Sequence, residues 1–145
     1  MGLRDLFKSK PKQPDYEEMM KSSDWGERKE AASMITDGTM LKNIFLNDED
    51  VRVRIAAILN PNLQDEKFFQ QVVLNGREQF IVNRFAEGQN AGFPTLIDVM
   101  IRCKDKEFVE QVYENNTCDL GHIAEKMLNG EPMYLHGEYI TITVK

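Results

Sequence analysis

Cys118 stands four residues before His122, a spacing that puts both on one face of a helix, and that pair is where a thiolate nucleophile and its base would be sought. With Cys103 and His136 they complete the cysteine and histidine inventory of the chain. Closed zinc sites are built from two pairs of ligands spaced by two to four residues, and Cys118-x-x-x-His122 is a single pair with no second. A thiolate enzyme also wants an orienting third group and an oxyanion loop, and neither is seen beside this pair. The structural reading makes Cys103 a small buried hydrophobe in the Met100-Ile101 helix and His122 a surface helix residue.

Carboxylates are the other candidates. Glu17, Glu18, Glu27, Glu30 and the Asp48-Glu49-Asp50 cluster could be arranged as a general acid and base, but solvated helix faces and helix caps use the same residues. No G-x-x-x-x-G-K or G-x-G-x-x-G loop is present to cradle a phosphate, and glycines stand singly where helices end. The expectation is a protein without catalytic residues, metal or cofactor.

The elements that position these residues read as a procession of short helices. Asp15 caps a first one carrying Tyr16, Met19 and Met20; Asp24 caps a second with Trp25, Arg28, Ala32 and Ile35 on one side, closed by Asp37-Gly38. Thr39 opens a third with Leu41, Ile44 and Phe45. The Asn47-to-Asp50 loop caps a fourth with Val51, Ile55, Ile58 and Leu59, stopped by Pro61. Further stripes follow at Phe68-Phe69-Val72-Val73 behind Asp65, at Phe80-Ile81-Phe85, at Leu96-Ile97-Met100-Ile101, at Phe108-Val109-Val112-Tyr113 behind Asp105, and at Leu120-Ile123-Ala124-Met127-Leu128. The ending changes period. Tyr139 to Val144 alternates with period two and is rich in β-branched residues, so it reads as a strand paired with Met133-Tyr134-Leu135 across a His136-Gly137 turn. Ile140, Ile142 and Val144 then face one way and the threonines the other.

Internal similarity is the strongest organisational signal. Arg54-Ile55-Ala56 recurs thirty residues later as Arg84-Phe85-Ala86, each Arg is followed six positions on by Asn60 or Asn90, and Leu63 matches Phe93. A weaker copy stands at Lys29-Glu30-Ala31. Periods of twenty to fifty residues mark helical units stacked in one dimension. At Val53-Arg54-Ile55-Ala56-Ala57-Ile58-Leu59-Asn60-Pro61-Asn62, behind the acidic Asp48-Glu49-Asp50 loop, the chain resembles the leucine-rich-repeat variant family and, more loosely, HEAT-like repeats. The resemblance covers at most residues 25–103. It implies a right-handed α-solenoid whose usual task is to bind another protein. Some members of that family carry an iron–sulfur cluster on an N-terminal cysteine group; here no cysteine precedes Cys103, so that cofactor is not carried over.

Arg52 and Arg54 point about 200° apart on a helix, so they serve different faces. Arg54 and Arg84, recurring in register, are expected to form a structural ladder with Asp48 or Asp50, alongside Asn60 and Asn90. Arg52, Arg77 and Lys42 then remain for a partner.

Eighteen Lys and Arg against 24 Asp and Glu give a net charge of −6. Residues 1–12 hold Arg4, Lys8, Lys10 and Lys12 against Asp5, a balance of +3, which leaves −9 on the remainder. Such a body repels phosphate backbones, so nucleic acid is not the expected partner; a protein with a basic surface is. Leu3, Leu6 and Phe7 share a helical stripe in the basic tail and supply the alternative, a peripheral membrane anchor. The segment lacks the zones of a signal peptide, and two cysteines are too few for a disulfide framework, so a cytoplasmic location is expected. The resulting organisation is a basic tail over 1–14, an all-α repeat domain over 15–130 and a small C-terminal β-hairpin over 131–145. That hairpin covers the end of the array, as a monomer or as the seam of a weak homodimer.

Overall fold

A computed structural model of the chain describes residues 15–75 and 92–145. The expected helix around Phe80, Ile81 and Phe85 lies outside them, as do Leu3, Leu6, Phe7, Arg77, Arg84 and Asn90. Among the described residues there are eight α-helices: α1 (Tyr16–Met19), α2 (Trp25–Met34), α3 (Gly38–Asn47), α4 (Val51–Ile58), α5 (Glu66–Leu74), α6 (Gly92–Met100), α7 (Lys106–Asn115) and α8 (Gly121–Asn129). A two-stranded antiparallel sheet, β1 (Met133–Leu135) and β2 (Glu138–Ile140), follows. No described helix is long and apolar enough to cross a membrane.

Aspartate starts most of these helices. Asp15, Asp24, Asp37, Asp50, Asp65 and Asp105 each sit in extended backbone and accept a hydrogen bond from a first-turn amide, satisfying a donor that the helix itself leaves open. Asp37 corrects one expectation. It and Gly38 do not close α2, which ends at Met34; Asp37 caps α3 instead, and its carboxylate takes the amide of Thr39 at 2.9 Å.

Helix α2 packs beside α4, and α3 packs against α4. Two long-range contacts show that α2 and α4 run parallel. Arg28, in the first half of α2, reaches Asp48 just before α4 begins, and Asn60, just after α4 ends, reaches the Ala32 and Ile35 carbonyls where α2 closes. Ala31 and Ala57 are fully buried and let these helices approach, while Leu41, Ile58 and Leu63 fill the volume around them. Farther along, Leu96, Met100, Leu120 and Met127 are buried in the same core, and α7 and α8 pack as a pair. The turn joining α7 and α8 is unusually tight. Asn116, Cys118 and Asp119 all have positive φ, and the Asn116 Oδ1 accepts the Gly121 amide at 2.9 Å. A Cβ at Gly121 would stand 2.6 Å from that oxygen, so any larger residue would displace the Asn116 side chain and its hydrogen bond.

The hairpin forms in the expected register, with Met133 opposite Ile140, Tyr134 opposite Tyr139 and Leu135 opposite Glu138. His136 and Gly137 both have positive φ, as a two-residue type I′ turn requires. Its second strand is shorter than expected and stops at Ile140 rather than Val144. The next hydrogen-bonded pair would be Glu131 with Ile142, but the Glu131 amide donates to the Lys126 carbonyl at 2.9 Å instead, so the ladder ends there. The alternation nevertheless persists. Ile142 and Val144 are half-buried against the core, Thr141 and Thr143 are exposed, and the Lys145 backbone exchanges 2.9 Å bonds with Lys104 and Lys106.

Candidate functional site

The parallel α2–α4 pair has two edges. At the first, helix N-termini gather charged side chains. Arg28 stands four residues after its N-cap, which turns it inward, and it is almost fully buried. Its Nε and Nη2 donate to the two Asp48 oxygens at 3.1 and 3.3 Å, its Nη1 donates to the Ser22 carbonyl at 3.0 Å, and Glu49 lies 3.8 Å away. The Asp48 hydrogen bond and the surrounding carboxylates raise the proton affinity of the guanidinium despite its burial. The pair therefore ties the segment before α2 to the loop before α4.

This corrects the expected ladder. Asp48 belongs to Arg28, and Asp50 is bonded to Arg52, so neither pairs with Arg54. Arg54 is buried as expected of a structural residue, and its Nη2 donates to the Leu46 carbonyl at 3.4 Å. The register also shifts. Arg28 and Arg54 are the equivalent positions, each four residues beyond a capping aspartate, and Lys29 is exposed. The sequence carries that signal in Asp24-x-x-x-Arg28 and Asp50-x-x-x-Arg54, twenty-six residues apart, although the same spacing also occurs at Asp48–Arg52 and Asp98–Arg102, and alignment on the alanines hides the match by one position.

Arg52 and Lys42, expected to be available to a partner, both have partners within the chain. Arg52 donates through Nε and Nη2 to Asp50 at 3.0 and 2.7 Å, and its guanidinium carbon lies 3.3 Å from the centre of the Trp25 ring. The hydrogen bonds between the two side chains hold Asp50 below the usual carboxylate range and raise Arg52. Arg52 stays exposed, and the indole beneath it is 38% exposed. Lys42 bonds Asp65 at 2.8 Å over the edge of Phe68, and this pulls the Asp65 carboxyl down as well.

The opposite edge, where helices end, is satisfied by amides and one guanidinium. Asn60 is buried, donates from Nδ2 to the Ala32 and Ile35 carbonyls at 2.9 and 2.8 Å, and accepts the Asn62 amide at 2.8 Å. Two residues beyond α6, Arg102 does the same for α4, donating to the Ile58 and Leu59 carbonyls at 3.1 and 2.8 Å. Burial lowers its proton affinity, opposed by the nearby Asp98 charge. Nothing in the sequence around Arg102 signals this contact, because it spans more than forty residues.

The residues weighed for catalysis are placed apart. Cys118 is buried, and its thiol donates to the Val73 carbonyl at 3.6 Å while His122 stands exposed. Cys103 lies just past the end of α6 rather than in it; its thiol donates to the Val99 carbonyl, and burial pushes it up to about 12. The Cys103 thiol is therefore protonated near neutral pH. His136 pairs with Asp98 at 2.6 Å on the outside of the hairpin. Among the described residues no three of His, Cys, Asp and Glu converge as metal ligands. Glu17, Glu27 and Glu30 are solvent-facing, and Glu18 bonds Lys21. Compared with known proteins, the chain matches no family model, no curated protein and no solved structure.

Proposed function

We propose that this chain is a non-catalytic, cytoplasmic protein-binding module, a short right-handed α-solenoid that presents the Trp25–Arg52 edge to a partner protein. The observation that carries this reading is the fixed guanidinium–indole stack. Trp and Arg dominate binding hot spots because they bury large area and donate directionally. Here two bonds to Asp50 already hold the Arg52 rotamer, so docking would cost less side-chain entropy than a free arginine demands. The parallel α2–α4 pair and its end-to-end contacts support a repeat scaffold, and the acidic body favours a partner with a basic surface.

The test is affinity capture with tagged full-length protein, followed by titration of the captured partner against Trp25→Ala and Arg52→Ala. At least a tenfold loss of affinity is expected in each variant, a hot-spot-sized effect, with melting temperature close to wild type. Unchanged affinity in both variants would remove this edge as the docking site.

A further inference from the structure

The hairpin turn is fastened to the helices by one polar contact. Among residues 133–140, the His136–Asp98 pair is the sole hydrogen bond or ion pair to a described helix. Met133 is buried at the base and Leu135, beside the turn, is half-buried against the core, whereas Tyr134, Gly137, Glu138 and Tyr139 are exposed, so the His136–Asp98 pair is the polar tie that supplements this apolar packing at the turn. Asp98 is a partly buried carboxylate on α6, 17% exposed, whereas the imidazole is 69% exposed. We propose that the His136–Asp98 contact is a proton-operated latch that closes the hairpin onto α6 in mildly acidic conditions and loosens it in alkaline ones.

The Asp98 hydrogen bond and charge from α6 favour the protonated ring most, Glu138 from its own hairpin adds a smaller push in the same direction, and desolvation opposes them. Asp98 in turn faces Arg102, which caps the end of α4. The carboxylate therefore sits between a permanent cation in the helical body and a titratable one in the hairpin. Because the folded-state proton affinity of His136 is raised above the ordinary value of 6.5, the latch is fully closed below that pH. It is lost as pH rises through the higher folded value. A neutral imidazole still offers one N–H, so release loosens the turn without detaching the buried base.

Hydrogen exchange on the full chain tests this. After correction for intrinsic rates, the hairpin amides should exchange roughly two- to fivefold faster at about pH 8 than at about pH 5.5, the size expected for one exposed ion pair. Asp98→Asn and His136→Asn should exchange at the faster rate at both values; asparagine tolerates the left-handed turn, so the second variant keeps the hairpin. An NMR titration of His136 should show a midpoint above 6.5 in the wild type and a return toward 6.5 in Asp98→Asn. Equal wild-type exchange at both pH values, or a pH dependence that survives in the variants, would overturn the latch. So would a wild-type midpoint at or below 6.5.

Discussion

The two edges of the α2–α4 pair solve opposite problems with different chemistry. Helix N-termini expose amide donors, and that edge is built from carboxylates, which then recruit Arg28 and Arg52 to balance them. Helix C-termini expose carbonyls, and that edge is built from the Asn60 amide and the Arg102 guanidinium, with no carboxylate among the described residues at hydrogen-bond distance of either. The first edge is therefore sensitive to pH and salt and leaves polar and aromatic groups at the surface. The second, resting on a neutral amide and on an arginine bonded to carbonyls, should depend less on both.

Removing Arg28 should disturb the molecule most. Arg28→Ala strands the Asp48 carboxylate and the Ser22 carbonyl at a site less than a tenth exposed, and a loss of about 3 kcal/mol is expected in denaturant unfolding. Asn60→Ala on the other edge removes the Asn60 donor from the Ala32 carbonyl and one of two donors from the Ile35 carbonyl, at about 2 kcal/mol, and its cost should be the same at low and high salt. If the Arg28→Ala cost proved equally indifferent to salt and pH, the contrast between the edges would fail.

Acid should separate the edges further. Asp50 and Asp65 are held below the ordinary 3.8, so the stability they contribute is fully present above that pH and is lost as pH falls through their lower folded values. Exchange at the first turns of α4 and α5 should rise there before exchange at the α2 C-terminus. The smallest effect is expected from Arg52→Ala, whose melting temperature should stay near wild type because the pair is exposed, whereas Arg54→Ala, at a buried position, should lower it clearly. Equal, negligible shifts would reduce Arg54 to a bystander.

The local half of this architecture is legible in the residues. Aspartates at 15, 24, 50, 65 and 105 announce their helices, because a cap acts over two or three residues. The hairpin is announced by its alternation and its His136-Gly137 turn, but its early end is not, because that depends on the Glu131 amide bonding back to Lys126. Asp37 misleads because Asp-Gly serves equally as a stop and a start. The site is harder to read. Arg28 looks like one more residue of a helical stripe, and its partner twenty positions away is chosen by how α2 and α4 pack. Arg52 looks free because a stack on Trp25 needs the two first turns side by side, and Arg102 looks like an ordinary surface arginine for the same reason.

Six of the eight described α-helices begin on an aspartate side chain. In a chain of such short helices, the isoelectric point near 5.0 is partly a record of how many times the backbone starts a new helix. A redesign that raised the isoelectric point by replacing those aspartates with lysine would erase the start signals one by one. Serine, threonine or asparagine at the same six places would change the charge and keep the punctuation.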